Sequence, residues 1–187
     1  IWFEFFHRPT YSFKDALQRK GVEVATMPAI IAEFKRASPS KGIFAPDAMP
    51  IEQCKAYANG GAAACSILTD TPFFHGSLVD LQTIRREVEL PLLRKDFILD
   101  PYQVFEAKAY GADAILLIER ILSPTQTQEL LDAAGECGLD VLMEIDAAEV
   151  WSAIEGYQES IAAVSMNSRN LATFDTDADH GLSELLA

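Results

Sequence analysis

The sequence predicts an α/β fold in which parallel strands and helices build a (β/α)8 barrel, with about six of its eight units present. Three observations predict it. Six short apolar runs alternate with longer amphipathic stretches along the 187 residues. Each run is rich in Ile, Leu and Val and is bounded by Gly, Pro or a charge, as in strands buried on both faces. Charged or amide residues end the first, third, fifth and sixth runs, where the active-site face of such a barrel lies.

Taken in order, residues 1–28 form an N-terminal helical segment, and residues 29–187 are expected to make βα units one to six of a single, incomplete barrel domain. The runs are "AIIAEF" (Ala29–Phe34), "AACSILTD" (Ala63–Asp70), "PLLRKDF" (Pro91–Phe97), "AILLIE" (Ala114–Glu119), "DVLMEI" (Asp140–Ile145) and "IAAVSMN" (Ile161–Asn167). Helical periodicity covers Ile51–Asn59, Leu78–Val88, Tyr102–Tyr110, Pro124–Cys137 and Ala147–Tyr157. The Asp100-Pro101 and Ser123-Pro124 pairs read as helix starts, because Pro fits a first helical turn. Gly60, Gly111 and Gly138 read as helix stops.

A regular alternation of strand and helix implies a parallel sheet, either doubly wound or closed. No GxGxxG or P-loop pattern follows any run, which weakens the nucleotide-binding version. A barrel is favoured by where the polar residues fall. Side chains at i and i+2 of a strand share a face. Glu33 then shares a face with Lys35, Lys95 with Phe97, and Asn167 with Arg169. Strands one, three and five would aim Glu33, Lys35, Lys95 and Glu144 at one point, where such a cluster supports acid–base chemistry. A bland reading stands beside this one. A charge at a strand end is commonly the first solvated residue, Arg94-Lys95-Asp96 fits an ordinary surface run, and Glu144 could cap a helix, although Asp146 is better placed for that. The coincidence of several strand ends favours the site.

Composition narrows the function classes. A formal net charge of −13 argues against nucleic acid or an anionic membrane surface as partner. No apolar run approaches the length of a membrane span, and the start carries an acid where a signal peptide would be basic, so a cytoplasmic protein is expected. Cys54, Cys65 and Cys137 show no CxxC and are expected to be buried thiols. His7, His75 and His180 have no metal-ligand spacing. A chain that begins at Ile1 is expected to be a fragment.

The run "IIAEFKRASPSKG" resembles the signature of indole-3-glycerol-phosphate synthase, a (β/α)8 enzyme of tryptophan biosynthesis. The similarity continues in family order through "ILTDTPFFHGSLVDL", "PLLRKDFILDPYQVFEAKAYGADAILLI", "VLMEI" and "NSRNLATF". The resemblance implies decarboxylating ring closure and dehydration of a small phosphorylated substrate, 1-(2-carboxyphenylamino)-1-deoxyribulose 5-phosphate, with no cofactor and no metal. It assigns Lys95 as the general acid on the ketone oxygen and Lys35 as the contact to the substrate carboxylate, with Glu33 beside it. Glu144 is the proton-transfer group, and Asn167 and Arg169 orient substrate and hold the catalytic charges. Phe97 and Leu116 line the anthranilate pocket, and Ser38 offers a hydroxyl to the phosphate. The resemblance leaves room for fusion to, or association with, another enzyme of the pathway. It also implies missing seventh and eighth units, whose loops bind phosphate, so the chain alone is expected to turn over substrate poorly. The alternatives are a non-catalytic barrel remnant and phosphoribosylanthranilate isomerase, which lacks the "KRASPSKG" pattern.

Overall fold

The computed structural model describes residues 11–23, 28–146 and 151–166. Its centre is a six-stranded parallel sheet built from β1 (Ile31–Phe34), β4 (Ala64–Leu68), β5 (Leu92–Lys95), β6 (Ala114–Ile118), β7 (Asp140–Ile145) and β8 (Ala163–Met166). Spatial order equals chain order, and the sheet curls as part of a (β/α)8 barrel. A two-stranded antiparallel hairpin, β2 (Ala37–Ser38) and β3 (Gly42–Ile43), follows β1. The helices are α1 (Phe13–Glu23), α2 (Pro50–Asn59), α3 (Thr71–Phe74), α4 (Leu78–Arg85), α5 (Pro101–Ala109), α6 (Pro124–Cys137) and α7 (Trp151–Ile154). None of the described helices is long and apolar enough to cross a membrane.

Each expected strand forms inside its apolar run, because both faces of the sheet are covered. The two faces make two cores, and period-two alternation sorts the side chains between them. Ile67, Leu92, Ile115, Leu117, Met143 and Ile145 face outward and pack with Leu81 and Ile84 of α4, Val104 of α5 and Leu130 of α6. Ala64, Leu93, Ala114, Leu116, Ile118 and Leu142 face inward, and Phe13 of α1 buries its ring among them. The three cysteines are buried and free.

Local chemistry fixes the helix ends. Asp100 and Ser123 each cap a helix while their own amides donate to the Gln103 and Gln126 side-chain oxygens, and Pro101 and Pro124 occupy the first turn. Helices α2 and α5 therefore begin one residue earlier than periodicity suggests, at Pro50 and Pro101. Gly138 ends α6 in the left-handed conformation at φ 61°. Helix α4 stops at Arg85, short of Val88, because the Arg85 guanidinium bonds the carbonyls of Val88 and Leu90 and stabilises a turn there. Over the last expected helix, residues 147–150 lie outside the described residues, and a helical turn at Trp151–Ile154 passes into a 3-10 turn at Glu155–Tyr157.

One buried carboxylate fastens the amino-terminal ends of the strands. Asp113 accepts from Arg85 Nη1 at 2.7 Å, from the Leu92 amide at 2.9 Å and from the Tyr11 amide at 2.9 Å. Its own carbonyl accepts from the Asp140 amide at 2.9 Å. Removing the carboxylate leaves a buried guanidinium and two amides short of partners. Asp113→Ala is therefore expected to lower the unfolding free energy by about 3 to 5 kcal/mol, measured by urea titration. A loss below about 1 kcal/mol, the net worth of one ordinary hydrogen bond, would show that the node is dispensable.

Candidate active site

Beyond the carboxyl ends of the inward-facing residues the sheet encloses a pocket of about 170 Å³. Its floor is apolar, from Ile31, Leu93, Leu116 and Leu142, and its polar groups are Glu33, Ser66, Lys95, Glu144 and Ser165. Glu33, Lys95 and Glu144, drawn from β1, β5 and β7, meet as expected from alternate strands of one mouth. Lys35, just past β1, closes onto the same carboxylate.

Glu33 is the hub. Lys95 Nζ donates to Oε2 at 2.6 Å, and Lys35 Nζ donates to Oε1. Burial pushes the Glu33 carboxyl up, but the Lys95 ammonium and the hydrogen bonds from both lysines outweigh it and hold the group below its ordinary 4.5. The Tyr57 hydroxyl donates to the Glu33 carbonyl at 2.9 Å and pins the strand end that carries it.

Lys95 is aimed inward by its neighbours. Arg94 and Asp96 are not a solvated charge run: Arg94 is 3% exposed and points outward beneath α5. It donates to the Gln103 carbonyl at 2.8 Å and pairs with Asp96 and Glu106 at 3.0 Å each, and Thr69 Oγ1 donates to Asp96 at 2.7 Å. A guanidinium can lie there because four oxygens surround it, Thr69 Oγ1 just past β4, which accepts from Arg94 Nε at 3.2 Å, Asp96 just past β5, and Gln103 and Glu106 of α5. With Arg94 locked on one face of β5, alternation sends Lys95 to the other.

The remaining expected residues divide. Leu116 is in the pocket floor. Phe97, 40% exposed, is not among the residues that line the pocket, and its ring centroid lies 6.4 Å from both Phe73 and Phe74 of α3. Ser38 sits on the hairpin, apart from the residues that line the pocket. Asn167 and Arg169, like His7 and His180, lie outside the described residues. Sequence reasoning missed Ser66 and Ser165, which nothing distinguishes until strand register places them. It also missed α3, whose signal was the Asp70-Thr71-Pro72 start: Asp70 caps the amides of Phe73 and Phe74. Gly76 then folds the chain against β4, where a Cβ would sit 2.2 Å from the Leu68 carbonyl oxygen. Arg36 pairs with Asp80 and ties the chain between β1 and β2 to α4.

The Glu33 geometry generates a pH dependence. A carboxyl with a depressed folded-state pKa contributes stability that is present above its unfolded value and lost as pH falls through the folded one. The stability difference between the wild-type chain and Glu33→Gln should therefore shrink as pH drops below 4.5, followed by urea midpoints at stepped pH. A difference constant across that range would contradict the two-lysine clamp.

The chain has counterparts among known proteins. Among solved structures, the carboxyl transferase domain of Rhizobium etli pyruvate carboxylase superposes with a TM-score of 0.55 over 91% of this chain and 31% of that one, at 17% identity, a likeness of fold alone. The indole-3-glycerol phosphate synthase family profile matches residues 4–186. The indole-3-glycerol phosphate synthase of Neisseria meningitidis serogroup B is 44% identical over 179 residues, 96% of this chain and 67% of that protein. That of Bacteroides thetaiotaomicron is 50% identical over 151 residues, 81% of this chain and 57% of that protein. The one from Bacillus pumilus is 44% identical, with 92% and 67% covered. This chain thus spans between 57% and 67% of the length of these relatives. A match of that extent, running through the strands that carry Glu33, Lys95 and Glu144, places the chain in the indole-3-glycerol phosphate synthase family.

Proposed function

We propose that this chain carries the catalytic mouth of an indole-3-glycerol-phosphate synthase, a cytoplasmic carboxy-lyase acting on 1-(2-carboxyphenylamino)-1-deoxyribulose 5-phosphate. The observation that carries the reading is Glu33 held between Lys35 and Lys95, with Glu144 lining the same pocket. Ring closure onto a weakly basic ketone needs a proton donor at that oxygen and a cation at the carboxylate that leaves as carbon dioxide. Lys95 is the donor and Lys35 the cation. Their shared partner, Glu33, holds both ammonium groups at the mouth until substrate arrives. Glu144, on the facing side, accepts and returns protons during ring closure and loss of water. Leu116 and Phe97 provide an apolar wall for the flat ring, Phe97 backed by Phe73 and Phe74. Ser38 on the hairpin contacts the phosphate, and Asn167 and Arg169 orient the substrate. Residues 29–187 act as one barrel domain behind the segment 1–28.

Two substitutions test the roles. Proton transfer from a positioned group contributes ~10² to 10⁴-fold, so Lys95→Met, placed in a chain extended by the last two βα units of a relative, is expected to lower kcat by roughly two orders of magnitude or more while circular dichroism stays native. Retained kcat would remove Lys95 from the chemistry. Glu144→Gln keeps volume and hydrogen-bonding capacity but cannot titrate, so kcat should fall by more than KM rises. Indole-glycerol-phosphate fluorescence follows both, and a change confined to KM would assign Glu144 to binding.

A further inference from the structure

Ser66 is the inward residue of β4 at the level of Glu33, its register partner on β1. Strand β4 lies between β1 and β5, so the Lys95–Glu33 ion pair crosses over it. Ser66 lines the pocket under that bridge and is 4% exposed, yet its buried hydroxyl has no hydrogen-bond partner among the described residues. A buried, unsatisfied hydroxyl costs stability that alanine, present as Ala64 on the same face of the strand, would not. A group that costs the free protein stability points to a use in another state. If Lys95 delivers a proton to substrate, its bond to Glu33 Oε2 must break, and a carboxylate in a confined pocket is left with one donor of two.

We propose that Ser66 is a positioning residue that takes over the Glu33 carboxylate: when substrate draws Lys95 away, the Ser66 hydroxyl turns to donate to the freed oxygen. Glu33 then stays ionised and aimed while Lys95 works. The inference rests on the reading of Lys95 as proton donor, and it separates from that reading because its first test needs no turnover. Lys95→Met imitates departure of the ammonium, and Lys95→Ala replaces it should that variant not fold.

Thermal unfolding of the wild-type chain, Ser66→Ala, the Lys95 variant and the double variant gives a complete cycle. Ser66→Ala should leave Tm unchanged or raise it in the wild-type background, and lower it by about 2 to 4 °C in the Lys95 background, where the hydroxyl has become a donor. An equal effect in both backgrounds overturns the proposal. Turnover supplies a second reading, since kcat reports groups in the substrate complex and kcat/KM those of the free enzyme. Loss of a donor to the ionised form raises a carboxyl pKa. Ser66→Ala should lower kcat about tenfold, move the acid limb of kcat to higher pH and leave the acid limb of kcat/KM in place. Unmoved limbs with unchanged kcat also overturn it. Turnover is read in a chain extended by the last two βα units of a relative, and its absence there would count against the assigned reaction alone, with the unfolding cycle still deciding on Ser66.

Discussion

The buried carboxylate of Asp113 is the tie on which the rest of this architecture depends. One side chain receives the guanidinium of α4, the amide that opens β5 and an amide of the segment before α1, while its backbone carbonyl engages the first residue of β7. A curled parallel sheet is held strand to strand by slanted bonds that do not by themselves fix how the strand ends line up around the curve. A charged node shared by three neighbouring strands does fix it. Gly111 shows how closely the node is built: at φ 93° it leaves the Arg85 side chain where a Cβ would lie 2.6 Å from Cγ. Alignment at this end transmits through rigid strands to the other, where Glu33, Lys95 and Glu144 must meet.

The opposite end of the sheet obeys a different rule. There the charges are half-open to solvent and in close contact, and each is held by something outside the pocket. Tyr57 holds the backbone of Glu33, the Arg94 cluster holds the strand end before Lys95, and Arg36 with Asp80 holds the hairpin side. The buried polar tie lies at the amino-terminal ends of the strands and the candidate site at the carboxyl ends, a division common to barrels of this kind. Leu93, Leu116 and Leu142 belong to both, as part of the inner core and as the pocket floor. The site thus rests on side chains that cannot shift without disturbing the packing around Phe13.

Much of this was legible in the residues. Strands covered on both faces must be continuous apolar runs, and the capping pairs Asp100–Gln103 and Ser123–Gln126 declare themselves locally. The charge pattern located the mouth because period-two geometry is a property of the strand alone. What could not be read depended on partners distant in sequence. Arg94 resembled a surface charge beside Lys95 and Asp96, and only α5 arriving with Gln103 and Glu106 makes its burial tolerable. Ser66 was one more small residue in a buried run until register set it beside Glu33. The hairpin at Ala37–Ile43 has no signature in the residues, since two-residue strands are too short to show a period.

The first helix carries a consequence for how the chain assembles. Its start is tied down by residues far downstream: the Tyr11 amide bonds Asp113, 102 positions away, and the Lys14 amide bonds Asp140, 126 positions away. Phe13 between them packs on side chains of β4, β5, β6 and β7. Its contacts come into existence only after those strands have paired, and such non-local closure is slow. On a ribosome this segment is made before every strand it docks on, so its aromatic ring stays unburied until those strands have been synthesised and paired.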